Sequence, residues 1–157
     1  MIELFFKALN DNAKKPIQAH ENDAGWDIYA TEDDIIYPNA QKKLSTGVAI
    51  QGKFIDPKDA EKFKLEFKIE GTSGNAAKLG IFPIGGVVDE GYLGEIGVVL
   101  VNATSDPIKI EKGKKIAQLV PHCIPKIKRV TYLGIEDNFE AKSSRGTDGF
   151  GSTGVAN

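Results

Sequence analysis

Hydrophobic and polar residues alternate most cleanly over Phe63–Glu70, where Phe63, Leu65, Phe67 and Ile69 interleave with Lys64, Glu66, Lys68 and Glu70. A period of two puts the apolar side chains on one face, so the segment predicts a strand with one buried and one wet side. Ile96–Asn102 opens with an apolar run, Ile96–Val101, that does not alternate, which predicts a central strand covered on both faces. Shorter runs at Ile2–Leu9, Gly25–Ala30, Ile35–Tyr37, Lys42–Ile50, Val87–Val88, Ile108–Ile110, Lys115–His122 and Lys128–Tyr132 predict the remaining strands. Helix is scarce. Asp56 followed by Pro57 can cap and start one turn running to Lys62, and Ala76–Leu79 can form another, both too short to stand alone. The chain has 17 glycines, placed singly between these runs, as in a protein of many strands and tight turns. The predicted class is all-β.

Composition sharpens this without redirecting it. The 157 residues are 41% hydrophobic and 27% charged, with 20 basic and 22 acidic side chains and a net charge of −2, ordinary for one soluble domain. A chain of this length buries roughly 70% of its unfolded surface, enough for a core without disulfides or structural metal. The apolar pattern fades from Glu136, and Ser143–Gly154 is nearly all small and polar. The expected organisation is a β domain over residues 1–140 and a flexible C-terminal arm over residues 141–157. Cys123 has no internal partner, and with His20 and His122 alone a Cys/His zinc site lacks ligands. A reducing compartment is expected, the cytoplasm, or the host cytoplasm if the chain is viral. Near-neutral charge argues against nucleic acid as a partner held by bulk attraction. Glu3 and Lys7 interrupt the only apolar stretch near the amino terminus, so no signal peptide is expected. No apolar run approaches the roughly 20 residues of a membrane span, so no membrane partner is expected.

Chemistry concentrates in a few segments. Arg145-Gly-Thr-Asp-Gly-Phe-Gly-Ser-Thr-Gly154 combines glycines that free backbone amides, the hydroxyls of Ser152 and Thr153, and the planar fork of Arg145, all suited to phosphate. No lysine follows its last glycine, which separates it from the phosphate loop of strand-loop-helix nucleotidases. A glycine-rich tail without a ligand is the plain alternative. Phe150, a lone ring with nothing local to pack on, points instead to a base or a neighbouring subunit. Gly86-Val-Val-Asp-Glu-Gly-Tyr-Leu-Gly94 predicts a hairpin in which Asp89 leaves a buried strand and Tyr92 sits just past the turn. There Asp89 either forms the turn or orients a water or sugar hydroxyl above the ring of Tyr92. Asp27, within Ala24-Gly-Trp-Asp-Ile-Tyr-Ala30, needs hydrogen bonds or a cation if buried. Gly71-Thr-Ser-Gly-Asn75 puts Ser73 and nearby amides at a helix start, where anions are favoured, or is a plain turn.

The order of these segments, completed by Gly113-Lys-Lys-Ile-Ala-Gln-Leu-Val120, resembles the five ordered motifs of the trimeric deoxyuridine triphosphatases (dUTPases) over nearly the whole chain. The resemblance implies a distorted jelly-roll-like β-barrel and a homotrimer with active sites at subunit boundaries. It implies magnesium-dependent hydrolysis of dUTP to dUMP and pyrophosphate, which keeps uracil out of DNA and supplies dUMP. By the same resemblance Asp89 holds the attacking water, and Tyr92 stacks under deoxyribose and leaves no room for a 2′-hydroxyl. Backbone groups from Pro83 to Val88, among them Gly86 and Val87, read uracil. Thr72, Ser73, Gly74 and Gln118 meet phosphate oxygens, and Asp27 supports the water shell of magnesium. From another subunit Phe150 and Gly151 cap the base, while Arg145, Ser152 and Thr153 hold the outer phosphates.

Two departures stand out. Thr72 occupies a position where the family carries arginine, with Lys64, Lys68 and Lys78 as candidate substitutes. Gln51–Lys68 is longer than the usual connection and is expected to be a surface insertion or a partner site. Two rival readings remain at this point. In the related dCTP deaminase the catalytic glutamate falls on Val99, whose isopropyl group relays no proton. A dUTP-binding regulatory protein with weak catalysis is the other.

Overall fold

The computed structural model describes residues 1–137 and 139. In chain order the strands are β1 (Ile2–Ala8), β2 (Trp26–Tyr29), β3 (Asp34–Ile36), β4 (Gln41–Ser45), β5 (Val48–Phe54), β6 (Phe63–Glu70), β7 (Ile81–Ile84), β8 (Val87–Asp89), β9 (Gly97–Asn102), β10 (Ile108–Ile110) and β11 (Lys115–Pro125). One helix, α1 (Pro57–Lys62), and a five-residue π-helix at Asn75–Leu79 complete the list. The strands pair antiparallel in four sheets, β1–β5, β3–β10, β2–β11–β6–β8 and β4–β9–β7. They surround one core, a jelly-roll-like all-β architecture.

β6 forms as its alternation predicts: Leu65, Phe67 and Ile69 are buried while Lys64 and Glu70 are exposed. With Ile28, Ile81, Leu100 and Leu119 they fill the centre of the core, each such side chain contributing roughly 1.5–3 kcal/mol by leaving water. Asn102 is fully buried beside them with its amide satisfied: Nδ2 donates to the carbonyls of Ile36 and Asp106, and Oδ1 accepts from the amide and hydroxyl of Thr104. α1 starts as predicted, the Asp56 carboxylate accepting from the Lys58 amide at 2.9 Å with Pro57 next.

Several expectations are corrected. Lys42–Ile50 is two strands, because the chain turns at Thr46-Gly47, where Gly47 has φ 64°. β9 is central, but its burial alternates: Val98, Leu100 and Asn102 are buried, Val99 and Val101 only half-buried. The alternation is hidden in the sequence because the outward positions are also aliphatic. Gly86–Gly94 is not a hairpin, since β8 pairs with β6 while β9 pairs with β4 and β7. Gln51–Lys68 is not a loop insertion: it comprises the end of β5, all of α1 and most of β6.

The compact unit is Met1–Lys126; residues 127–157 form a second unit. Among the described residues of that second unit the expected strand Lys128–Tyr132 does not form, and Val130 and Tyr132 are exposed. Among those described residues, a turn is closed by the Gly134 amide donating to the Asp137 carboxylate at 2.7 Å.

Candidate active site

β8 is a short edge strand whose middle residue, Val88, is buried in the core while Val87 and Asp89 face outward. The chain then turns: the Tyr92 amide donates to the Asp89 carbonyl at 3.0 Å, and the Glu90 carboxylate accepts from the Leu65 amide of β6 at 3.2 Å. Asp89 and Tyr92 thereby line one open hollow of about 260 Å³, whose walls include Gly85, Val87, Glu95 and Lys43. Just before β8 the chain runs against β6 at Gly86, where a Cβ would come within 2.5 Å of the Ile69 carbonyl oxygen, so only glycine lets the chain pass so close. Pro83 lies on β7 opposite Leu100 and is half-buried.

Glu95 holds this region together, and nothing local in the sequence announced it. One carboxylate oxygen accepts from the Ser45 hydroxyl and from the amides of Thr46 (3.0 Å) and Gly47 (2.8 Å), while the Glu95 carbonyl accepts from the Tyr92 hydroxyl at 2.9 Å. The Ser45 hydroxyl bond, helped by the two amides and by the charge of Lys43 and opposed by burial, holds its pKa below the usual glutamate value. These partners lie 48 to 50 residues away in sequence. Only the fold brings them together.

A second group gathers around the end of β6. Gln118 on β11 faces Asp27 on one side and Glu70 on the other, and its Nε2 donates to the Gly71 carbonyl at 3.1 Å. Asp27 pairs with Lys115 at 3.0 Å, which meets its need for a cation. The Tyr29 hydroxyl nearby is pushed up in pKa, chiefly by burial and then by Asp27, with Lys115 opposing. The Thr72 hydroxyl accepts from the Asn75 amide at 3.3 Å and caps the helical run 73–79 that the π-helix completes, and the Asn75 side-chain amide donates to the Lys115 and Ile116 carbonyls. Thr72 is therefore a helix-capping residue here, while Ser73 and Gly74 are exposed beside it. Of the lysines considered as substitutes for the arginine, Lys68 turns to Glu66 at 3.7 Å.

The two groups do not meet within one chain. Asp89 pairs with Glu66 and Gln118 with Glu70, on opposite edges of β6 and about 13 Å apart along that strand. Arg145, Phe150, Gly151, Ser152 and Thr153 lie outside the described residues.

A family model described as dUTPase matches residues 11–154. The chain belongs to the dUTPase family. It is 41% identical over 157 residues to the deoxyuridine 5′-triphosphate nucleotidohydrolase of Clostridium novyi, covering 98% of this chain and all of that one. To the enzyme of the same name from Clostridium tetani it is 40% identical, covering 96% of each chain. Among solved structures it is similar to a dUTPase of Staphylococcus bacteriophage 80alpha bearing dUpNHpp, with TM-score 0.78, 27% identity, and 98% and 99% of the two chains covered. As a dUTPase the chain is an enzyme that hydrolyses dUTP. Val99, half-buried on β9 opposite Lys43 and Ile84, offers a deaminase no proton carrier.

Proposed function

We propose that the hollow at Asp89 and Tyr92 receives the deoxyuridine end of dUTP, and that the Thr72–Gln118 group of another copy meets its phosphates in a homotrimer with shared sites. One observation carries this reading: Asp89 and Tyr92 sit on one hydrogen-bonded turn and line the same hollow. Asp89 orients a water whose oxygen bonds to the α-phosphorus as the bond to the α,β-bridging oxygen breaks. Pyrophosphate departs and the water's proton passes to the carboxylate. The Tyr92 ring lies under deoxyribose, and its hydroxyl, already bound to the Glu95 carbonyl, holds it close enough to exclude a 2′-hydroxyl. Backbone groups between Pro83 and Val88 read uracil. Ser73, Gly74 and Gln118 donate to phosphate oxygens.

The separation of the two groups along β6 supports the sharing of sites between copies. Magnesium would suit these residues, because on a triphosphate it takes few protein carboxylates, and Asp27 would serve it through a water. When bound, it offsets charge on the phosphate oxygens. We assign Arg145, Ser152 and Thr153 to the outer phosphates and Phe150 with Gly151 to the base, in keeping with the phosphate-suited chemistry of their segment. The unbridged, exposed Cys123 supports a cytoplasmic location.

The test is pyrophosphate release from each deoxynucleoside triphosphate with magnesium, expected from dUTP alone. Mixing separately inactive Asp89→Asn and Gln118→Ala chains, after dissociation and reassembly, is expected to restore part of the activity. No recovery would refute the sharing of sites.

A further inference from the structure

We propose that Lys43 is a substrate-binding residue whose ammonium group meets the phosphate nearest the sugar. The inference rests on the reading that the hollow at Asp89 and Tyr92 takes the nucleotide. Lys43 lies on β4 opposite Val99, and its side chain runs across Gly97. A Cβ at Gly97 would overlap the Lys43 stem, whose Cγ and Cδ lie 3.3 Å from that position. The glycine thus leaves a track that carries the lysine from the outer face of the sheet to the wall of the hollow, which it shares with Asp89, Tyr92 and Glu95.

Charge then decides what it does there. Of the described residues lining the hollow, Asp89 and Glu95 are carboxylates and Lys43 is the cation. A nucleotide phosphate entering beside two carboxylates is repelled unless a positive charge faces it. One oxygen of the Glu95 carboxylate already accepts from Ser45, Thr46 and Gly47, and among the described residues Lys43 makes no ion pair within 4.0 Å. Its neighbour Lys42 is taken by Asp34, and Lys115 by Asp27. Lys43 is available to a ligand.

The experiment compares Lys43→Met, which keeps the stem and removes the charge, with Lys43→Arg, which keeps the charge. Dissociation constants for dUMP and for deoxyuridine are measured by calorimetry on the full chain, with kcat and KM for dUTP alongside. Lys43→Met is expected to weaken dUMP at least about tenfold and leave deoxyuridine unchanged, with Lys43→Arg near the parent. Unchanged dUMP affinity overturns the proposal. Equal weakening of dUMP and deoxyuridine overturns it too, because Lys43 would then shape the hollow without touching phosphate. Tyr92→Ala separates the two levels: if it alters neither affinity, the assignment of the hollow itself fails, whatever Lys43 does.

Discussion

The turn after β8 and the turn after β6 both present polar residues at a strand end, yet they are held by different means. At the first, one charged oxygen of Glu95 collects three donors from the β4–β5 corner, and the same residue's carbonyl fixes Tyr92. At the second, Thr72 caps its own helix, and neutral bonds run to backbone carbonyls, one from Gln118 and two from Asn75. Charge-assisted bonds are roughly twice as strong as neutral ones, so the Asp89–Tyr92 side is held more firmly and depends on one residue. The Thr72–Gln118 side is spread over several weaker contacts and leaves Ser73 and Gly74 exposed. A pocket that selects a flat ring and a sugar needs fixed walls, whereas a phosphate cradle needs unspent donors.

The most severe test of that contrast is at the chemistry itself. Asp89→Asn is expected to lower kcat by about a thousandfold, within the 10²–10⁴ range of general-base catalysis, while a non-hydrolysable dUTP analogue binds with parent affinity; undiminished turnover would mean the carboxylate is misassigned. Next comes Glu95→Ala, which orphans the amides of Thr46 and Gly47 and unties from the β4–β5 corner the backbone whose carbonyl accepts from Tyr92. A loss of about 2–3 kcal/mol in denaturant unfolding should accompany a smaller preference for dUTP over UTP, and stability loss with intact discrimination would break the link between clamp and ring. Thr72→Ala removes only a cap, so about 1 kcal/mol is expected, with discrimination untouched; a cost equal to that of Glu95→Ala would erase the contrast. The smallest effect is with pH. Glu95 titrates below its ordinary 4.5 in the folded chain, so its contribution is full above that value and is lost as pH falls through the lower folded one. Melting temperatures followed downward from pH 5 should decline less steeply in Glu95→Gln than in the parent.

Much of the scaffold was readable because its signals are local. β6 alternates, Asp56-Pro57 announces α1, and the ordered motifs around Asp27, Thr72, Asp89 and Gln118 point to the family. β9 misled because its outward face is aliphatic too, and Gly86–Gly94 misled because a short strand, a turn and another strand look alike whether or not the strands pair. The clamp was invisible. A glutamate after a glycine carries no sign that its partners lie half a hundred residues upstream, and a lysine in a β-strand carries none that a distant glycine clears its way into a pocket.

Residue order along the chain was enough to dictate the family and the all-β class, because side-chain chemistry and short-range periodicity are written one residue at a time. Which groups share a hollow, which strand edges separate Asp89 from Gln118, and which cation faces the carboxylates follow from strand pairing over long separations. That pairing is settled by burial of the whole core at once, which no local stretch encodes.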